Sequence, residues 1–407
     1  MRKVLAHPRL ISSSIGALTR VLLAFPRYVF QHADHYQIHA DLLRKLPSTT
    51  QLVLLVHVSM RPNLESLLHR LELSGRTTLI EVPESINFSV WMTDMGVITQ
   101  EQGVGPEVLA EPVAVTRVND AMLAGLISTH IDISRSPQPL YFEGGNILVG
   151  DDFWLLGADN VDHSLHLGLI EPHSQEDLAA QARHSFCAAL ETSRQLHLIQ
   201  STLEVPRQFE RPFIHQGEVW TEIFYAGNRY RTVQPIFHID MFLTLAGRDA
   251  DQRNIILVGD SALAAEILGE PLLEQAMASH YDDIAGTLSR AGFSVIRTPL
   301  PLVHQDDPET RTRKWYFASS NNALVQIVGA QKQVWLPTYG HGRFAHLSAT
   351  DAVNRRIWED LNFMVTHLTD CHPLAYNLGG VRCMTQYLAR RATASAFMDP
   401  SSSGMES

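Results

Sequence analysis

Leu378-Gly379-Gly380-Val381-Arg382-Cys383-Met384-Thr385-Gln386 is the stretch on which the reading of this chain turns. Two consecutive glycines let a backbone bend and come close to a ligand. The cysteine that follows offers a thiolate, a far stronger nucleophile than water. Only two other cysteines, Cys187 and Cys371, occur in 407 residues, and there is no CxxC pair. That odd, sparse count argues against a disulfide framework and against a thiolate zinc site. It fits a reducing, cytoplasmic setting.

Three further blocks lie upstream. Phe237-His238-Ile239-Asp240-Met241 carries an imidazole and a carboxylate that an extended backbone would present on one face. Tyr141-Phe142-Glu143-Gly144-Gly145-Asn146 stands just before a strand-like Ile147 to Val149. Trp91-Met92-Thr93-Asp94-Met95-Gly96 supplies a third acid. The chemistry that uses such a set is specific. A guanidinium is planar, permanently charged and rich in N–H donors, so carboxylates are its natural partners. Breaking its C–N bond calls for a strong nucleophile, a proton for the departing amine and a base for water. One histidine can serve the last two steps.

In this order the blocks resemble the guanidino-group-modifying (pentein) superfamily of arginine deiminase, agmatine deiminase, dimethylarginine hydrolase and the amidinotransferases. The resemblance runs from Trp91 to Gln386, about three quarters of the chain. It implies that Cys383 attacks the guanidino carbon to give a thiouronium intermediate, and that His238 protonates the leaving ammonia and then activates water. Asp94 and Asp240, with Trp91 beside them, would bind the guanidinium, and Glu143 would hold it in register with His238. The implied fold is a five-bladed α/β propeller with pseudo-fivefold symmetry, each blade a ββαβ-type unit. The implied partner is a small cationic guanidino substrate, arginine or a derivative such as agmatine, with no cofactor and no metal. Amidino transfer and a catalytically silent propeller that binds guanidinium groups or a protein are the alternatives. Thr93 stands where agmatine deiminases usually carry Arg, whereas Arg382 before the cysteine follows the arginine deiminase pattern. The guanidine used therefore stays open.

Hydrophobic periodicity separately reads as α/β. Gln51 to Val58 is a buried strand, Pro62 to Ser74 has helical spacing, and Thr77 to Val82 is a strand again. Asn254 to Val258, a helix around Pro271 to Ala291, and Ser294 to Arg297 repeat the order. Leu324 to Val328 and Val334 to Leu336 form a strand pair, followed by a helix over Ala352 to Leu368. Another helix is expected from a Ser174 cap, with Asp177 near its positive end, through Arg194. Residues 1–33 hold five basic residues and no acid, and read as a basic extension that leaves organelle targeting open. Residues 34–391 read as one domain, and 392–407, small and polar, as a disordered tail.

A net charge of −11 disfavours nucleic acid and anionic membrane, and suits a cationic substrate. No apolar run is long enough to span a bilayer, and a homo-oligomer is left open. Gly259-Asp260-Ser261 after a strand offers an alternative, a GDS-type serine esterase using Ser261 with Asp370 and His372. A helix cap at Asp260 or Ser261 is the simpler reading. His163, His166 and His173 lack acidic or thiolate partners for a metal site, and Gly103-Val104-Gly105 lacks a third glycine for a dinucleotide loop.

Overall fold

A computed structural model of the protein describes residues 2–115, 117–170, 178–228 and 232–392. Within these, five sheets repeat one pattern: an antiparallel strand pair, then a helical crossover to a third strand parallel to the second. The first blade has Val97–Glu101, Val104–Glu111 and Ser134–Pro137, with helix Val118–His130 between the last two. Ile147–Val149, Phe153–Gly157 and Gln195–Ile199 make the second. The third holds Leu243–Arg248, Asn254–Asp260 and Ser294–Pro299, and the fourth Leu324–Val328, Gln331–Thr338 and Met364–Asp370. A sixth sheet, joining the hairpins Phe209–His215/Glu218–Phe224 and Leu302–Asp307/Thr312–Phe317, stands outside this pattern.

The fifth blade is built from both ends of the described chain. Gln386–Arg391 pairs antiparallel with Ala17–Phe25, which pairs parallel with Gln51–His57, and Thr77–Val82 adds an edge strand. The N-terminal stretch, expected as an extension apart from residues 34–391, thus contributes a central strand. Val21, Leu22, Leu23, Ala24 and Phe25 are all fully buried. Of the five basic residues in this stretch, Arg20 pairs with the buried Glu107 at 3.5 Å and Arg27 with Glu84. The expected tail falls on residues 393–407, outside the described residues.

Local patterning places most elements where the sequence puts them, with one exchange. The helix expected over 352–368 is Ser348–Asp360, after which Asn362 takes φ 62° and a strand, Met364–Asp370, begins. The left-handed Asn362 ends the helix, and the alternation in MVTHLTD suits a strand. Of the helix expected from Ser174, Leu178–Leu190 is present, and Ser174 and Asp177 lie outside the described residues. Blades are tied by buried aromatics: Trp335 of the fourth blade is fully buried, and its Nε1–H donates to the Lys45 carbonyl of the fifth at 2.8 Å. Truncating such a side chain typically costs about 3–5 kcal/mol. No helix among the described residues is long and apolar enough to cross a membrane.

Candidate active site

Each blade presents a short turn immediately before its first strand, and the five turns converge. Asp94 lies in the 3-10 turn Met92–Met95 ahead of Val97–Glu101. Glu143 precedes the turn Gly144–Asn146 and strand Ile147–Val149. His238 precedes the turn Ile239–Met241, which carries Asp240, ahead of Leu243–Arg248. Asn322 stands before Leu324–Val328, and Cys383 before Gln386–Arg391. The His-x-Asp block is therefore not a continuous strand. His238 is extended, with φ −127° and ψ 137°, but the backbone then turns, and both side chains reach the centre through that turn.

A ring nitrogen of His238, an Asp240 carboxylate oxygen and the Cys383 sulfur all lie within 4.8 Å of one another. His238 Nε2 is 2.7 Å from Glu143 Oε2, and Nδ1 is 3.8 Å from Asp94 Oδ1. Asp94 Oδ1 also accepts the Gly145 N–H at 3.2 Å. Gly145 must lack a side chain, because a Cβ there would sit 2.4 Å from His238 Nδ1. Cys383 Sγ faces Asp240 Oδ2 at 3.6 Å. Trp91, half-buried, packs on the loop that carries Cys383, its ring 2.3 Å from where a Cβ on Gly379 would be.

The structure thus brings together Cys383, His238, Glu143, Asp94 and Asp240, and adds residues to which the sequence assigns no part in the site. Two are arginines already seated on the carboxylates. Arg382 NH1 donates to Asp240 Oδ2 at 2.6 Å, and NH2 to the Ile147 carbonyl at 2.8 Å. The ion pair is almost wholly buried, at 6% and 0% side-chain exposure. Arg117 NH1 lies 3.0 Å from Asp94 Oδ2, and its Nε 3.9 Å from Glu143 Oε1. Thr93 also gains a role. Its Oγ1 lies within donating distance of the Arg382 and Thr385 carbonyls, at 2.6 and 2.8 Å, tying the first blade's turn to the cysteine loop. The His238, Asp240 and Cys383 donor atoms are close enough to bridge a metal ion, but the Arg382 charge on Asp240 opposes a further cation there.

Electrostatics follow from burial and these partners. Burial alone would keep His238 neutral, but Asp94 and Glu143 outweigh it and raise its pKa to about 9. Burial works against ionised Glu143 too, yet His238 and Arg117 hold it at about 2. Asp94 is raised by burial, with His238 and Arg117 opposing. Cys383 is pushed well above the usual thiol range by burial first, then by Asp240 and Asp94. The resting pair near neutral pH is therefore imidazolium and thiol. His238, raised from 6.5, contributes stability fully present below 6.5 and lost as pH rises through about 9. Glu143, lowered from 4.5, contributes stability present above 4.5 and lost as pH falls through about 2. Replacing Glu143 by Gln is expected to lower the His238 pKa by about one unit or more, read from the imidazole proton shifts in an NMR titration. An unmoved midpoint would show that Glu143 does not set the charge of this ring.

The remaining candidates resolve into structural parts. Asp260 caps helix Ser261–Leu268 by accepting the Leu263 N–H at 2.9 Å, and Ser261 Oγ donates to the Ala276 carbonyl at 2.7 Å. His372 turns to the Tyr316 hydroxyl at 2.8 Å and the Tyr339 carbonyl at 3.0 Å. His163 and His166 lie on helix Ala158–His166, and His173 is outside the described residues. Gly103 and Gly105 shape the hairpin between the first blade's opening strands. Cys187 is a half-buried residue of helix Leu178–Leu190.

Compared by sequence, the chain matches no protein-family model and no curated protein. Compared by structure, it matches several solved deiminase folds over nearly its whole length. One, provisionally named an agmatine deiminase, gives a TM-score of 0.65 at 12% identity, covering 97% of this chain and 99% of the other. A second, provisionally named a peptidyl-arginine deiminase, gives 0.61 at 14% identity, covering 94% and 99%. Agmatine deiminase from C. jejuni gives 0.60 at 13% identity, covering 95% and 96%. At such identities the likeness is one of fold, and the fold is the five-bladed α/β propeller that the four sequence blocks imply.

Proposed function

We propose that the chain, folded like these deiminases, hydrolyses a guanidino C–N bond through Cys383, on arginine or a derivative such as agmatine. The observation that carries the proposal is the buried meeting of Cys383 sulfur, His238 and Asp240 within 4.8 Å, with Glu143 on the same imidazole. The cysteine thiol first releases its proton to solvent, since the imidazolium cannot take it, helped by the incoming cation, whose charge favours the thiolate against Asp240 and Asp94. Sulfur then bonds to the guanidino carbon. His238, charged below about pH 9, gives its proton to the departing ammonia, leaving a thiouronium. Water loses a proton to His238 and adds to the same carbon, and the C–S bond breaks to release the ureido product. A panel of arginine, agmatine, methylated arginines and peptidyl-arginine, scored for ammonia and ureido product, tests this. Amidino transfer would differ at both ends: the substituted amine leaves in place of ammonia, so the bare amidino group stays on sulfur, and a second amine replaces water as acceptor.

Arg117 bears on how substrate enters. Glu143 and Arg117 keep 19% and 32% side-chain exposure, so solvent meets the site beside them, whereas Cys383 is 2% exposed. Asp94 and Glu143 already partner one guanidinium, which supports their use for a second. With both arginines and imidazolium in place, the three acids are neutralised. A cationic substrate is accommodated only in exchange for Arg117. Replacing Arg117 by Ala is therefore expected to tighten agmatine or arginine binding by about tenfold in calorimetry, since a competing guanidinium is gone. Unchanged or weaker binding would count against the exchange. The same closure favours a second reading, a silent guanidinium binder. A haloacetamidine that labels Cys383, with protection by substrate, separates the two in favour of catalysis.

A further inference from the structure

Four of the five converging turns carry an acid, the histidine or the cysteine; the turn of the fourth blade carries Asn322. This residue is fully buried, and both ends of its amide are committed to the same neighbour. Oδ1 accepts the Cys383 backbone N–H at 3.1 Å, and Nδ2 donates to Cys383 Sγ at 3.1 Å. Nδ2 is also 3.3 Å from the Asp240 carbonyl, and the Asn322 carbonyl accepts the Arg382 N–H at 3.3 Å. The backbone is shaped around this amide, since a Cβ on Gly380 would lie 2.4 Å from Oδ1.

We propose that Asn322 is the positioning residue of the nucleophile: its amide fixes the Cys383 side chain in place and stabilises the sulfur when it becomes anionic. The clamp stands on geometry alone; its catalytic meaning rests on the guanidino-hydrolase reading. Apart from a backbone hydrogen bond from Gly380, the other groups facing the sulfur are charged. Asp240 and Asp94 oppose a thiolate, while Arg382, Arg117 and protonated His238 favour it, and Glu143 acts through His238. Asn322 is the neutral side-chain donor in this set, so it offers sulfur the same N–H at every pH. A hydrogen bond to the ionised form lowers an acid's pKa, so losing it raises the thiol's.

The test uses Asn322→Ala and Asn322→Leu, each first checked for native circular dichroism and cooperative unfolding. Both remove the donor without adding charge, and either suffices if it folds. Iodoacetamide, a neutral probe, is applied from neutral to alkaline pH, and the peptide holding Cys383 is quantified by mass spectrometry so that Cys187 and Cys371 do not contribute. The alkylation midpoint is expected to rise by about one pH unit, making alkylation at neutral pH about tenfold slower, with kcat falling and KM unchanged. An unmoved midpoint in a folded variant overturns the proposal. Should the wild type turn over no guanidine, the functional reading falls, while the midpoint still decides the role of Asn322.

Discussion

Cys383→Ala is expected to lose the proposed guanidine turnover by about a thousandfold or more, while its unfolding free energy stays within about 1 kcal/mol of the wild type. The first expectation follows because no other described thiol stands at the converging turns: Cys371 follows the fourth blade's last strand, Met364–Asp370, and Cys187 is on the helix of the second blade. Removing the nucleophile deletes the covalent route, and the groups left behind can only orient water. The second expectation follows from size. One sulfur leaves a small void, the backbone N–H keeps its bond to Asn322, and Asp240 keeps its pairing with Arg382. Steady-state kinetics and urea denaturation give both values. Full activity in the alanine variant would remove sulfur from the mechanism.

Arg382→Met is expected to show the opposite balance, with stability falling by about 3–5 kcal/mol. The cause is not the worth of the ion pair itself, which desolvation largely offsets, but the unpaired charge left behind. Asp240 has no exposed side-chain surface, and Arg382 supplies its 2.6 Å partner. Arg382 also donates to the Ile147 carbonyl of the second blade, so the substitution loosens contacts among three blades at once. Pairing Arg382→Met with Asp240→Asn is expected to recover part of the loss, since the buried charge is then removed together with its partner. A loss under about 1 kcal/mol in chemical denaturation would mean that water reaches Asp240.

Much of this was legible in the sequence. Gln51–His57 stands out because a strand buried on both faces is a short continuous apolar run, whereas the edge strand Thr77–Val82 is legible from its β-branched residues. The four site blocks stand out because rare, reactive residue types sit beside glycines. Asn322 does not, since an amide in Ser319-Ser320-Asn321-Asn322 looks like ordinary turn composition. Its position was nonetheless marked: it precedes a recognisable strand, as the other four site turns do. Arg117 was hidden for another reason, because its carboxylates come from two different blades and no local pattern records that. The N-terminal strand was misread when the charge bias of residues 1–33 outweighed the apolar run from Val21 to Phe25, and only the pairing with Gln386–Arg391 reveals it.

That pairing also orders events during synthesis. The strand Ala17–Phe25 is made early and must wait for Gln386–Arg391, while four blades are completed between them. Contacts so distant in sequence are slow to form, because the intervening chain must first be drawn together. The Cys383 sulfur sits just ahead of the late strand, so a growing chain does not bring it to the converging turns until its circle is joined.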